Sequence, residues 1–146
     1  MQKRITKNSL SLVLCAMLIM AMAVFTTACN NNRNEVPSAG ESAQDGDVLG
    51  EGKTQFTLAV VDKEGSEKQF EIHTDKETVG EALLELGMIA GDEGDYGLYV
   101  KTVNGITVDY DKDGKYWAFY IDDEYANTGV DSTPIEEGRV YSFKVE

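Results

Sequence analysis

Only one stretch of this chain carries the marks of a helix, and that limits the possible folds more than any other feature. Thr78-Val79-Gly80-Glu81 has the capping-box pattern, a threonine at the N-cap position and a glutamate three residues on. Val79, Ala82, Leu83 and Leu86 follow as an apolar stripe at helical spacing, and Gly87 stands where a helix C′ residue belongs. The remaining periodic segments alternate as strands do. Residues 54–62 and 68–74 flank turn material at 63–67 and predict a hairpin. Residues 96–103 and 106–110 flank Asn104-Gly105, the strongest short hairpin signal. Residues 116–121 and 124–126 flank Asp122-Asp123, and residues 140–145 follow the Glu137-Gly138 turn as a closing strand. Residues 90–95, acidic and glycine-containing, read as a loop. Two strands, one helix and a run of strands predict an α+β fold, β-grasp-like, with one mixed or antiparallel sheet of short hairpins packed on a single α-helix.

The first third of the chain has a different character. Lys3, Arg4 and Lys7 precede an apolar run over residues 10–25, which is the pattern of a secretory signal and short for a membrane-spanning helix. The run ends in Thr26-Thr27-Ala28-Cys29, which resembles a bacterial lipobox, with Thr26 where a leucine is usual. That resemblance implies cleavage before Cys29 and diacylglyceryl modification of its thiol. Cys15 would be lost with the signal, leaving Cys29 as the sole cysteine of an exported protein, where a free thiol is a liability. Two acyl chains give stable anchoring where one is marginal. Residues 30–53, rich in Asn, Gly, Ser, Glu and Asp, show no helical or strand period and read as a flexible acidic tether. The expected organisation is therefore a lipoprotein signal peptide at 1–28, a lipidated cysteine and tether at 29–53, and a folded domain at 54–146. The expected location is the outer face of the bacterial cytoplasmic membrane.

Several motifs together carry a family resemblance. Thr78-Val79-Gly80-Glu81-Ala82-Leu83, Tyr99-Val100, Asn104-Gly105, Tyr116-Trp117-Ala118-Phe119-Tyr120-Ile121, Gly129-Val130 and Pro134 resemble a family of bacterial surface domains. That family is similar to the C-terminal domain of transcobalamin and intrinsic factor. The resemblance implies a β-grasp-like domain that binds a soluble ligand, and in the vertebrate relatives the ligand is cobalamin. Fold alone does not transfer a ligand.

Charge and composition narrow the partners. With 26 Asp+Glu against 13 Lys+Arg the formal charge is −13, which excludes partners held by phosphate neutralisation, nucleic acid among them. No Gly-x-Ser-x-Gly, His-Glu-x-x-His or P-loop occurs, so no enzyme activity is expected. All seven tyrosines lie at or beyond Tyr96, and alternation in 116–121 puts aromatic side chains on both faces of that strand. One face must be core, and Trp117 is assigned to it. Tyr99, Tyr116, Tyr120 and Tyr125 are the candidate ligand-binding residues, either a stacking platform or the covering of an open sheet face. Asp109, Asp111 and Asp113, followed by Gly114, match the opening of a calcium loop, where alternate carboxylates face a hard cation. The twelfth position is Tyr120 instead of glutamate, so the segment reads either as an acidic turn or as a weak calcium site. His73, the sole histidine, falls on a polar strand face, and its alternatives are a plain surface residue or an axial ligand to cobalt or iron. No cofactor is required by these patterns. The function they suggest is capture of a corrinoid or similar soluble molecule for a membrane transporter, and the rival is a module binding another surface protein or a glycan.

Overall fold

In a computed structural model of the chain, residues 42–146 are described, and they belong to one compact unit, Asn34–Glu146. The signal segment, Cys29 and the first part of the expected tether lie outside the described residues.

The expected first hairpin forms because its apolar residues fall on one face. In β2 (Thr54–Val61) Phe56, Leu58 and Val60 are buried, and in the antiparallel β3 (Glu67–Thr74) Phe70 and Ile72 lie across from them. The carboxylate of Asp62 closes the turn by accepting from Glu64 N and Ser66 N, each at 2.9 Å. The closing strand β9 (Val140–Val145) runs parallel to β2, with Leu58 facing Tyr141. Beyond it come β7 (Trp117–Ile121) and β8 (Glu124–Tyr125), both antiparallel to their neighbours. With β1 (Val48–Leu49) against β3, the first sheet has six strands in the order β1-β3-β2-β9-β7-β8.

The helix α1 (Val79–Glu85) begins as its capping pattern predicts, Thr78 Oγ1 accepting from Glu81 N at 3.3 Å. Gly87 follows the helix with φ 66°, the left-handed value that ends helices. Val79, Ala82 and Leu83 bury the inner face of the helix in the core. Gly80 lets α1 meet a short 3-10 turn (Val130–Ser132), since a Cβ there would stand 2.6 Å from Asp131 Cα.

Four expectations need correction. A second sheet exists where one was expected: β4 (Ile89–Gly94), β5 (Gly97–Val103) and β6 (Ile106–Thr107) pair in that order, all antiparallel. Residues 90–95, read as a loop, supply most of β4; the acidic side chains point to water and the pairing to β5 is made by backbone. Residues 109–114, read as a turn between strands, contain a four-residue helix, α2 (Tyr110–Asp113), capped by Asp109 and ended by Gly114 at φ 64°. Finally, the folded unit does not start at 54. Ala43 and Leu49 are buried, β1 pairs with β3, and Glu71 N donates to Asp47 O at 3.0 Å, so residues 42–53 are a strap on the domain. The described part is thus dominated by its two sheets, with α1 and α2 as its only α-helices.

Candidate functional site

The two sheets do not close on each other everywhere. Where β5 approaches the inner face of β7 and β9, a cleft of about 220 Å³ remains, bordered also by Ala126, Thr128, Gly129 and Val130. Trp117, Phe119 and Phe143 reach it from the first sheet, Leu98, Tyr99 and Val100 from the second. Phe119 and Phe143 pack ring to ring, centroids 5.1 Å apart, so the cleft floor is continuous with the core. None of the described residues that line it is charged, although the chain is strongly acidic.

Three of the four candidate tyrosines meet at this cleft: Tyr99, Tyr116 and Tyr125. Tyr99 is 43% exposed and Tyr125 57%, so both offer ring surface to solvent. Tyr125, together with Ala126, also borders a second, polar hollow of about 450 Å³ lined by Asp122, Glu124 and Arg139. Tyr120 stands outside the cleft and braces it. Its ring meets Tyr125 edge-on at 5.6 Å, and Lys144 Nζ lies 4.7 Å from its centroid. Its hydroxyl donates to Glu146 Oε1, while Tyr116 Oη donates to Glu146 Oε2 at 3.5 Å.

This carboxylate sets the acid–base behaviour of the cluster. The hydrogen bond to Glu146, with some desolvation and the neighbouring negative charge, pushes Tyr120 up to about 12. Burial, then Tyr125 and Glu146, raises Tyr116 in the same direction. The folded state therefore holds the Tyr120 proton more tightly than the unfolded chain, whose ordinary value is 10.0. This contribution to stability is complete below pH 10 and is lost as pH rises toward about 12. Glu146→Gln should bring the tyrosinate absorbance transition of Tyr120 back toward the ordinary phenol range. A transition unmoved by that change would show that Glu146 is not its cause.

Trp117, 6% exposed, is core as expected and cleft wall as well, and its indole Nε1 is buried without an acceptor among the described residues. The cleft residues that were not anticipated, Leu98, Phe119, Phe143, Thr128, Gly129 and Val130, came from strands that read simply as core and from an unpatterned loop. The available signal was the family motif itself, since Tyr116-Trp117, Phe119 and Gly129-Val130 all line the cleft.

The acidic triplet is held by hydrogen bonds within its own turn and by two lysines. Asp109 Oδ1 accepts from Asp111 N at 3.0 Å, Asp113 Oδ2 accepts from Asp109 N at 2.9 Å, and Lys63 and Lys112 approach Asp113 and Asp109 at 3.5 and 3.7 Å. Among the described residues no group of three or more His, Cys, Asp or Glu side chains is placed to hold a metal ion. His73 lies far along the first sheet on its outer face, half-buried, with Nε2 2.6 Å from Glu71 Oε1.

Residues 76–146 match the family model of a domain of unknown function, DUF4430. Among solved structures, a protein from Ruminococcus gnavus ATCC 29149, described as a "putative metal binding protein", is 30% identical with a TM-score of 0.61. The match covers 64% of this chain and 97% of that one, and the chain belongs to the family of that protein. Haptocorrin in complex with Cbi is similar at 15% identity and a TM-score of 0.48, over 64% of this chain and 25% of haptocorrin. Comparison with curated proteins returns no match.

Proposed function

We propose that this chain is a lipid-anchored binding module whose aromatic cleft takes an uncharged, flat portion of a soluble molecule and passes it to a membrane transporter. The observation that carries this reading is the cleft itself: an uncharged opening with six aromatic side chains in its lining, running down to core residues. Anchoring rests on Cys29 and the segment before it. We take the first hairpin, α1 and the closing strand parallel to β2 as a β-grasp-like arrangement.

A corrinoid is the first ligand to test, on the strength of the sequence resemblance to the transcobalamin C-terminal domain. At about 220 Å³ the cleft falls below the usual range for enclosing a drug-sized molecule, so a corrinoid would insert one edge and leave the rest outside. The metal binding attributed to the Ruminococcus gnavus relative finds no matching donor cluster among the described residues. The second reading, a protein- or glycan-binding surface, is favoured by a separate observation: β8 is a sheet edge and carries the exposed Tyr125 beside the cleft.

Trp117, the only tryptophan, makes the test direct. Titrating residues 34–146 with cobalamin and cobinamide should change both its fluorescence and the visible spectrum of the corrinoid. No change with ligand in the tens of micromolar would sink the corrinoid proposal and leave the interaction reading. Tyr125→Ala should weaken any ligand that fills the cleft by about tenfold or more, the effect of losing one aromatic anchor. It should leave the melting temperature almost unchanged, because that side chain is more than half exposed. For the anchor, Cys29→Ser should release the protein from membranes, and continued membrane association would contradict lipidation.

A further inference from the structure

Asn104-Gly105 does more than turn the chain from β5 into β6. Both residues have positive φ, 46° and 76°, as a two-residue hairpin turn requires. Residues in such turns usually face water, yet Asn104 is only 3% exposed. Its side chain grips the backbone of the strap: Oδ1 accepts from Ala43 N at 2.8 Å, and Nδ2 donates to Ala43 O at 3.2 Å. The strap also touches the glycine, which is itself exposed: a Cβ at Gly105 would stand 3.6 Å from Ser42 Cβ. Asparagine followed by glycine is the pair in which the next backbone nitrogen most easily reaches the side-chain carbonyl carbon, because no Cβ hinders it. Here the reacting asparagine lies beneath the segment that joins the domain to the rest of the chain, with its glycine at the edge of that segment.

We propose that Asn104 is a deamidation site gated by the strap. While residues 42–49 are docked, two hydrogen bonds fix the amide and the turn holds Gly105 in place. When they lift, Gly105 N attacks Asn104 Cγ. The new N–Cγ bond forms as the Cγ–Nδ2 bond breaks, and ammonia leaves carrying the proton from Gly105 N. Water then opens the cyclic imide to aspartate or isoaspartate. One water is consumed, one ammonia is released, and nothing is oxidised or reduced. The product has an oxygen where Nδ2 donated, facing the Ala43 carbonyl, and redocking would bury a carboxylate without a donor for that oxygen. Release is therefore one-way, and it lengthens the link between the domain and the segment that holds Cys29.

The test uses the full chain in detergent, aged at mildly alkaline pH, with Asn104 conversion followed by peptide mass spectrometry. Ala43→Pro, which removes the N–H that Oδ1 accepts, should speed conversion about tenfold. Equal rates in the two chains would overturn the gating. Asn104→Asp, the product in permanent form, should lose hydrogen-exchange protection at Gly46, Gln69 and Glu71, whose amides tie the strap to β3, and keep it in β7 and β9. Should that variant not fold, the deamidated fraction of the aged chain, separated by charge, gives the same comparison. Protection retained at those three amides would overturn the one-way release.

Discussion

A chain that begins at Thr54 should melt roughly 15 °C or more below one that begins at Asn34, if a kilocalorie shifts a domain of this size by about 4–8 °C. The missing piece is short but not superficial. Leu49 is 3% exposed, and removing a buried leucine side chain alone costs about 2–5 kcal/mol. Its neighbour Gly50 lies against His73 O and Leu86, where a Cβ would stand 2.3 and 3.2 Å away, so the strap seals the edge of the core beside α1. Truncation also uncovers the β3 edge, whose Glu71 N and Gln69 N now bond to Asp47 O and Asp45 Oδ1. It strips Asn104 of both its partners while leaving that amide in a site built to be dry. Thermal unfolding followed by far-ultraviolet circular dichroism measures the difference, and coincident melting curves would show the strap to be a passive linker.

The strap was illegible in the sequence for a physical reason. A two-residue strand has no period, and its buried groups, Ala43 and Leu49, are isolated apolar residues in a polar stretch. Its hold comes mostly from backbone bonds and from Asn104, a residue whose sequence context announces only a turn. The same reason hides β4. An edge strand whose side chains are mostly exposed presents no apolar alternation, and its Gly91 reads as a breaker although the strand needs it, a Cβ there standing 2.0 Å from Tyr99 O. By contrast β2, β3, β9 and α1 could be read because each buries one face of a regular element and declares it through spacing. Periodicity reports which residues are half-buried, not which strands pair, and so two sheets were read as one. The cleft is harder still, because it is assembled from β5, β7, β9 and a loop, and its walls are residues that any sequence reading gives to the core. Only the tyrosines at its mouth were recognisable, since aromatic side chains on the polar side of a strand have no structural need to be there.

Phe143 joins the two roles and allows the depth of the cleft to be measured by stability. It sits on β9, 1% exposed, and forms the floor on which Phe119 packs. Phe70, on the inner face of β3, is buried to the same 1% and lines no part of the cleft. Truncating a buried phenylalanine to alanine costs about 3–5 kcal/mol, part from lost transfer energy and part from the void, at roughly 24 cal/mol per Å³ of residual cavity. Phe70→Ala leaves a closed apolar void and should show both parts. Phe143→Ala opens its space into the cleft above, where water or a ligand can fill it, so the cavity part shrinks. Phe143→Ala should therefore fall near 3 kcal/mol and Phe70→Ala above it by about 1 kcal/mol. Denaturant unfolding monitored through Trp117 separates them. Ligand affinity separates them again: a molecule that reaches the floor should bind Phe143→Ala differently from the unaltered chain and Phe70→Ala the same. If Phe143→Ala proves the more destabilising of the two, the cleft stops short of the core and the tyrosine mouth is a surface patch, which is the geometry an interaction module needs.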